Sequence, residues 1–327
     1  MSDTAEMQLF RDTVVRFFND EVEPHYAQWE KEGIFPKELY LKMGENGLLC
    51  VDMPEEYGGM GAPFEFSMVV LEEAARMGYL ALASNLSVHS DIAAPYILHL
   101  GSEQQKQKYL PRMASGECIG AIGMSEPGAG SDVVSMKLRA DKKGDRYVLN
   151  GNKMWITNGG DADVLVVYAK TEPEAGAKGM TAFIIEKGFK GLGYGQKLDK
   201  LGMRGSNTWP LFFDNCEVPA ENVLGAEGKG VRVPMSGLDY ERLVLSGIGT
   251  GIMAACLDAV LPYARERRQF GQPIGNFQLM QGKIADMYVA LNTGRAYVYE
   301  VARACDAGKV TRQDAAGAVL YASEQAM

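Results

Sequence analysis

The sequence predicts an α+β chain in three parts: an N-terminal helical domain over 1–115, a central β-barrel or sandwich domain over 116–226, and a C-terminal helical bundle over 227–327. Two changes of texture carry this reading. Met7, Phe10, Val14, Phe17, Phe18 and Val22 recur at helical spacing near the start. The β-branched runs Val164–Tyr168 and Thr181–Glu186 then appear amid dense Gly and Asp. Long helical patterns return afterwards. A β-domain set between helical regions leaves a cleft where they meet, a common place for a ligand.

Taken in order, Pro24 stops the first helix from simply continuing. A second starts near Pro36 and runs through Leu39, Leu41 and Met43 to Gly47. Tyr57–Gly61 is a loop, and Phe64–Arg76 and Glu103–Met113 are helical again. Tyr147–Leu149 followed by Asn150-Gly151 reads as a strand entering a hairpin turn. Leu211–Phe213 before Asp214-Asn215 gives the same signal. In the last part Pro262, Pro273 and a Gly271–Gly275 turn separate the helices, and the final one covers Gly317–Met327.

With 327 residues, 46% of them hydrophobic, the chain can bury two or three domain-sized cores. A net charge of −9 excludes bulk nucleic-acid binding, and an anionic ligand would need a local basic cluster. Five scattered cysteines without C-x-x-C, and three histidines without ligand spacing, give no disulfide framework and no metal site. The acidic start, Ser2-Asp3-Thr4-Ala5-Glu6, is unlike a signal or transit peptide. No apolar run nears the ~18 residues of a membrane span, so no membrane insertion is expected. The expected location is the bacterial cytoplasm or, for a processed eukaryotic chain, the mitochondrial matrix.

Several constellations carry chemistry, each with a plainer alternative. In Met124–Asp132, Gly128 and Gly130 let backbone approach a flat ligand, and Ser125 and Ser131 offer hydroxyls; on composition alone an ordinary Gly/Pro turn is the plainer reading. Trp155-Ile156-Thr157 could stack on and hydrogen-bond to a tricyclic ring, or Trp155 could be a core residue. Asp239 and Arg242 share a helix face and could be a surface ion pair. Glu241, followed by Leu243-Val244-Leu245, is a carboxylate in apolar surroundings, which raises its pKa toward that of a base for a weak carbon acid. Arg265, Arg267 and Arg268 before Phe270-Gly271 could hold a pyrophosphate or simply solvate a helix end. Gly247-Ile248-Gly249-Thr250-Gly251 imitates a dinucleotide fingerprint, but position 252 is Ile and the pattern fits close helix packing.

Together these residues resemble the acyl-CoA dehydrogenases over the whole chain. Met124–Asp132 is similar to that family's first signature, and Lys200–Ser206 and Arg267–Gly271 also match. Ser236–Leu245 and Phe277–Lys283 look most like the isovaleryl-CoA dehydrogenase branch. The resemblance implies FAD, with Ile122, Gly123, Met124, Ser125, Gly130 and Ser131 lining the flavin and thioester and Trp155, Ile156 and Thr157 flanking the ring. It implies that Arg267, Phe270 and Gln278 serve FAD, Arg267 and Gln278 that of a neighbouring subunit in a homotetramer (a dimer of dimers). Ser131, Lys178, Asp239, Tyr240 and Arg242 would contact the acyl-CoA, and Glu241 would be the base. Most of the family carries the base on a later loop, so glutamate at 241 is the branch-level clue. Two departures follow. The family normally continues past the position of Met327 with further FAD contacts, and Arg232 stands where the isovaleryl branch tends to have an aromatic residue.

The implied reaction is α,β-dehydrogenation of a short branched acyl-CoA. A ribityl hydroxyl and the backbone N–H of Glu241 are the expected donors to the thioester oxygen. An electron-transferring flavoprotein is the implied acceptor. The alternatives are a dehydrogenase of longer branched, citronellyl-like or long-chain thioesters, a same-fold oxidase or monooxygenase, and a non-catalytic acyl-CoA-binding protein.

Overall fold

The computed structural model describes residues 4–230 and 232–327; the side chains of 232–236, Arg232 among them, lie outside the described residues. The chain forms two compact units, one of Met1–Val22, Pro63–Ala83 and Asp239–Met327, the other of Glu23–Ala62 and Ser84–Leu238.

The second unit is built on a sheet of β1 (Gly120–Gly123), β2 (Arg139–Lys143), β3 (Arg146–Thr157), β4 (Val164–Lys170), β5 (Met180–Glu186), β6 (Leu192–Tyr194), β7 (Thr208–Pro219) and β8 (Val223–Leu224). The strand order is β6-β7-β3-β2-β4-β5-β8, with β1 parallel to β4. Every residue of β4 is buried. Val164, Val166 and Tyr168 pack with helical residues such as Ile97, Tyr109 and Met113. Leu165, Val167 and Ala169 pack with Leu149, Leu211 and Phe213 of β3 and β7. Burial on both faces is why this strand reads as a continuous apolar run rather than an alternating one. Among the flanking helices, α3 (Lys37–Glu45) starts after Pro36 and ends before Gly47, and α7 (Glu103–Ala114) opens on a capping box between Ser102 and Gln105. Gln105 Nε2 also donates to the carbonyls of Glu221 and Val223, tying the helix start to the last strand.

Neither expected turn is a turn. β3 runs straight through Asn150-Gly151, and the hairpin from β2 lies earlier, at Gly144, whose φ is 64°. β7 likewise continues through Asp214-Asn215. The two dipeptides face each other where the β3–β7 register shifts, and Asn215 N–H donates to Asn150 Oδ1 at 2.8 Å. A bulge, like a turn, selects residues that tolerate unusual backbone, which is why the signals look alike.

In the first unit, α1 (Ala5–Phe17) continues as a π-helical turn to Val22 and packs Phe10 against Phe66 of α4 (Phe64–Arg76), ring centroids 5.2 Å apart and tilted by 52°. α8 (Arg232–Glu266) from Asp239 onward, α9 (Gln278–Asp306) and α10 (Arg312–Ala326) complete it. Pro262 does not divide helices: α8 passes through it, losing one amide donor, and the break comes at a hairpin of β9 (Arg268–Gln269) and β10 (Gln272–Pro273). The glycine run of α8 serves packing. A Cβ on Gly251 would stand 2.3 Å from the Glu72 carbonyl, and one on Gly247 3.1 Å from that of Met68. The expectation that no run could span a membrane is corrected: Gly237–Glu266 is long and apolar enough by length and composition. It carries Asp239, Glu241 and Arg242 near its start and Asp258 further in, and 56% of its most apolar window is buried, as in a core helix. Fully buried Glu72 gathers Tyr299, Arg295 and Thr250 around one carboxylate, linking α4, α9 and α8.

Candidate active site

β1 and the segment after it supply the first group of candidates. Ile122, Met124 and Ser125 are half-buried, while Gly130 and Ser131 are exposed. Gly123 is small for an internal reason: its Cβ would stand 3.1 Å from Val167 Cγ2. Gly128 and Gly130 have open space where a Cβ would lie, so no protein neighbour demands glycine at either position. The segment is instead anchored by Glu126, a buried carboxylate that accepts from Lys137 N–H at 2.6 Å and Leu138 N–H at 3.0 Å. The fully buried ammonium of Lys153 donates to Glu126 Oε1 and to the Met124 carbonyl, both at 2.9 Å. Desolvation brings the Lys153 pKa down to about 8 against the opposing pull of Glu126.

This pair holds the bulge that presents Trp155. The β3–β7 register shifts between Lys153 and Ile156, and Trp155 has φ 67°, a left-handed backbone costly for a bulky residue. Its indole is 60% exposed, so the core-tryptophan alternative fails. Ile156 is different: its side chain is buried in the sheet core, so it can offer a ligand backbone alone. Thr157 is half-buried opposite Thr208. A large flat ring, exposed and held in a strained conformation beside a hydroxyl and the half-buried edge of Met124-Ser125, fits the stacking demand of an isoalloxazine. Lys178 lies exposed in the 3-10 segment Pro173–Gly179.

In the first unit, Asp239, Tyr240, Glu241 and Arg242 are all half-buried on α8. Asp239 Oδ1 accepts from Arg242 Nη1 at 3.0 Å, with Arg312 Nε 3.7 Å away. The pair is therefore formed, and partly shielded rather than fully at the surface. Tyr240 meets Phe64 edge-on at 5.5 Å. Glu241 is followed by the fully buried Leu243 and Val244. Its backbone N–H is not a free donor, because Glu241 lies beyond the first turn of α8, where the helical ladder uses each amide. That part of the expected thioester contact is corrected. Arg267 and Phe270 stand exposed at the β9–β10 hairpin, and Gln278 is exposed at the start of α9. Arg268 Nη2 closes the hairpin onto the Gly271 carbonyl at 3.0 Å. Glu241 and Arg267 are separated by about three quarters of α8, about 39 Å at the helical rise.

A cavity of about 570 Å³ in the first unit contains none of these residues. Arg11, Arg76, Arg295 and Arg303 line it, each ion-paired to a carboxylate. The structural residues that sequence reasoning passed over are Glu126 and Lys153. Their one signal was position, Glu126 inside the glycine segment and Lys153 two residues before Trp155.

Three family models cover the chain: the acyl-CoA dehydrogenase N-terminal domain over 4–117, its middle domain over 121–216, and its C-terminal domain over 228–327. The chain belongs to the acyl-CoA dehydrogenase family, a family of FAD-dependent oxidoreductases. It is 53% identical over 326 residues to "Isovaleryl-CoA dehydrogenase, mitochondrial" of Arabidopsis thaliana, covering 99% of this chain and 79% of that one. Its fold matches the acyl-CoA dehydrogenase from Geobacillus kaustophilus with a TM-score of 0.95 at 39% identity, over 99% of this chain and 85% of that one. A glutaryl-CoA dehydrogenase from Mycobacterium smegmatis, solved in complex with FADH2, matches with a TM-score of 0.92 at 30% identity, over 99% and 82%.

Proposed function

We propose that this chain dehydrogenates a short branched acyl-CoA of the isovaleryl type and passes the electrons to an electron-transferring flavoprotein. The observation that carries the reading is Glu241, a half-buried carboxylate on α8 beside the Asp239–Arg242 pair, in a chain 53% identical to an enzyme named for isovaleryl-CoA. Ile122–Ser125, Gly130, Ser131, Trp155 and Thr157 would hold the flavin, with Ile156 contributing backbone alone. Bound FAD supplies the ring that accepts a hydride from the β-carbon. Glu241 takes the α-proton, and the apolar side chains after it keep water from competing as the base. Arg242 and Arg312 hold the Asp239 carboxylate in place, and Ser131, Lys178, Tyr240 and Arg242 complete the acyl-CoA contacts. Arg267 and Gln278, far along the chain from Glu241 at the other end of α8, would reach the FAD of a neighbouring subunit in a homotetramer, and Phe270 would also serve FAD. The compartment would be the mitochondrial matrix in a eukaryote and the cytoplasm in a bacterium.

Glu241→Gln should retain FAD and ligand binding yet lose bleaching of the flavin by substrate under anaerobic conditions; retained bleaching refutes the assignment. The same assay run across straight, short branched and citronellyl-like thioesters ranks the substrates. Rapid oxygen consumption with substrate would instead identify an oxidase.

A further inference from the structure

Gly120 opens β1, and buried side chains hold both polar groups of the residue. Its N–H donates to His89 Nδ1 at 2.9 Å, and its carbonyl accepts from Asn158 Nδ2 at 3.2 Å. The same Nδ2 reaches the Asn85 carbonyl at 3.1 Å. His89 sits in the π-helical stretch Ser87–Ala93 and is fully buried, with Tyr40 packed edge-on at 5.8 Å. Because Nδ1 accepts, Nε2 carries the proton and donates to the Met113 carbonyl at 3.0 Å. One neutral tautomer thus satisfies both ring nitrogens. Gly120 is closely packed: a Cβ there would stand 2.6 Å from the Met113 methyl and 3.0 Å from Ala93 Cβ, so the Met113 side chain would have to shift. Asn158, also buried, follows Thr157 directly and has φ 61°.

Those bonds join two segments that the β-ladder leaves apart. β1 pairs with β4, while β3 pairs with β2 and β7. The ends of β1 and β3 are bridged by three rungs: Asn158 to the Gly120 carbonyl, Lys153 Nζ to the Met124 carbonyl, and Met154 N–H to the Ser125 carbonyl at 2.9 Å. The Asn158 rung is the one anchored further back, through Asn85 and His89, in helical structure.

We propose that His89 and Asn158 are positioning residues for the flavin, clamping the backbone of Gly120 from both sides so that Ile122–Ser125 and Trp155–Thr157 keep one fixed separation. This rests on the FAD reading of those two segments. Neither residue touches the reacting atoms, so the readout is the site's shape and not turnover alone. Two measurements test it: FAD affinity by equilibrium titration, and amide hydrogen exchange of the apoprotein over 119–125 and 154–160. Asn158→Gly accommodates the left-handed backbone while removing both donor bonds. His89→Leu removes both ring contacts, and His89→Gln restores one donor and one acceptor. Asn158→Gly and His89→Leu should each weaken FAD binding by about tenfold or more, with exchange in both segments faster by a similar factor and exchange in α9 unchanged. His89→Gln should stay within about threefold of wild type. Wild-type affinity and unchanged exchange in Asn158→Gly overturn the proposal. If His89→Leu does not fold, Asn158→Gly decides alone; if neither folds, the residues serve global stability and the proposal falls. A wild-type protein that takes up no FAD refutes the cofactor reading itself. Wild type and variants binding FAD equally refute the positioning role alone.

Discussion

Replacing Lys153 by methionine isolates what the Glu126 anchor contributes. The ammonium is fully buried and touches two acceptors at 2.9 Å, Glu126 Oε1 and the Met124 carbonyl. Methionine fills most of the stem volume but leaves Glu126 buried without a counter-charge. Removing one partner of a buried pair costs about 3–5 kcal/mol. The amides of Lys137 and Leu138 still serve Glu126, so the lower end, about 3 kcal/mol, is expected. Desolvation already outweighs the attraction of Glu126 at Lys153, which shows that the pair carries a burial penalty of its own. Glu126→Gln with Lys153→Met should therefore recover about 1–2 kcal/mol of the loss. Urea unfolding followed by far-UV circular dichroism measures the wild type, both single variants and the double variant. A Lys153→Met protein within about 0.5 kcal/mol of wild type, or a double variant equal to the sum of the singles, would refute the argument.

Trp155→Asn should raise apoprotein stability by about 1 kcal/mol, since Asn tolerates left-handed backbone, while lowering flavin affinity; thermal melting and FAD titration read the two effects, and a drop in stability contradicts the strain argument. His89 gives a pH dependence. The unfolded chain binds its proton near pH 6.5, whereas burial holds the folded histidine neutral down to about 4. Below pH 6.5 the unfolded state binds more protons, so stability falls as pH drops and has lost on the order of 3 kcal/mol by about pH 4. Unfolding free energies across that window should flatten in His89→Gln. Gly251→Ala places a methyl 2.3 Å from the Glu72 carbonyl and should cost about 3 kcal/mol by urea titration; a neutral effect would mean that α8 and α4 can move apart freely.

The helices were legible because their periodicity and their Pro and Gly boundaries are local. Phe64–Arg76 is the clearest case, beginning directly after Pro63. The buried strands were legible because β-branched runs mark a sheet packed on both faces. Turns were not, because the Asn150 and Asn215 signals answer each other across a bulge, and that pairing is set by register between distant segments. Residue types at the site could also be read, but not their exposure. Trp155 and Ile156 are neighbours, yet one stands out from the protein and the other enters the core, a divergence made by the register shift beneath them. Glu126 and Lys153 were missed for the same reason, since charges this far apart in sequence become partners once the sheet brings them together. The membrane-length stretch of α8 was passed over because Asp239, Glu241, Arg242 and Asp258 punctuate its apolar residues.

At Gly247 and Gly251 the helix that bears Glu241 rests on main-chain carbonyls of α4. A contact of that kind offers evolution no methyl group to trim or enlarge, so the carboxylate proposed as the base cannot be nudged in small increments relative to α4. Relatives that diverge toward new thioesters while keeping these glycines would have to do so by exchanging side chains elsewhere, with the carboxylate at 241 inherited at an unchanged height.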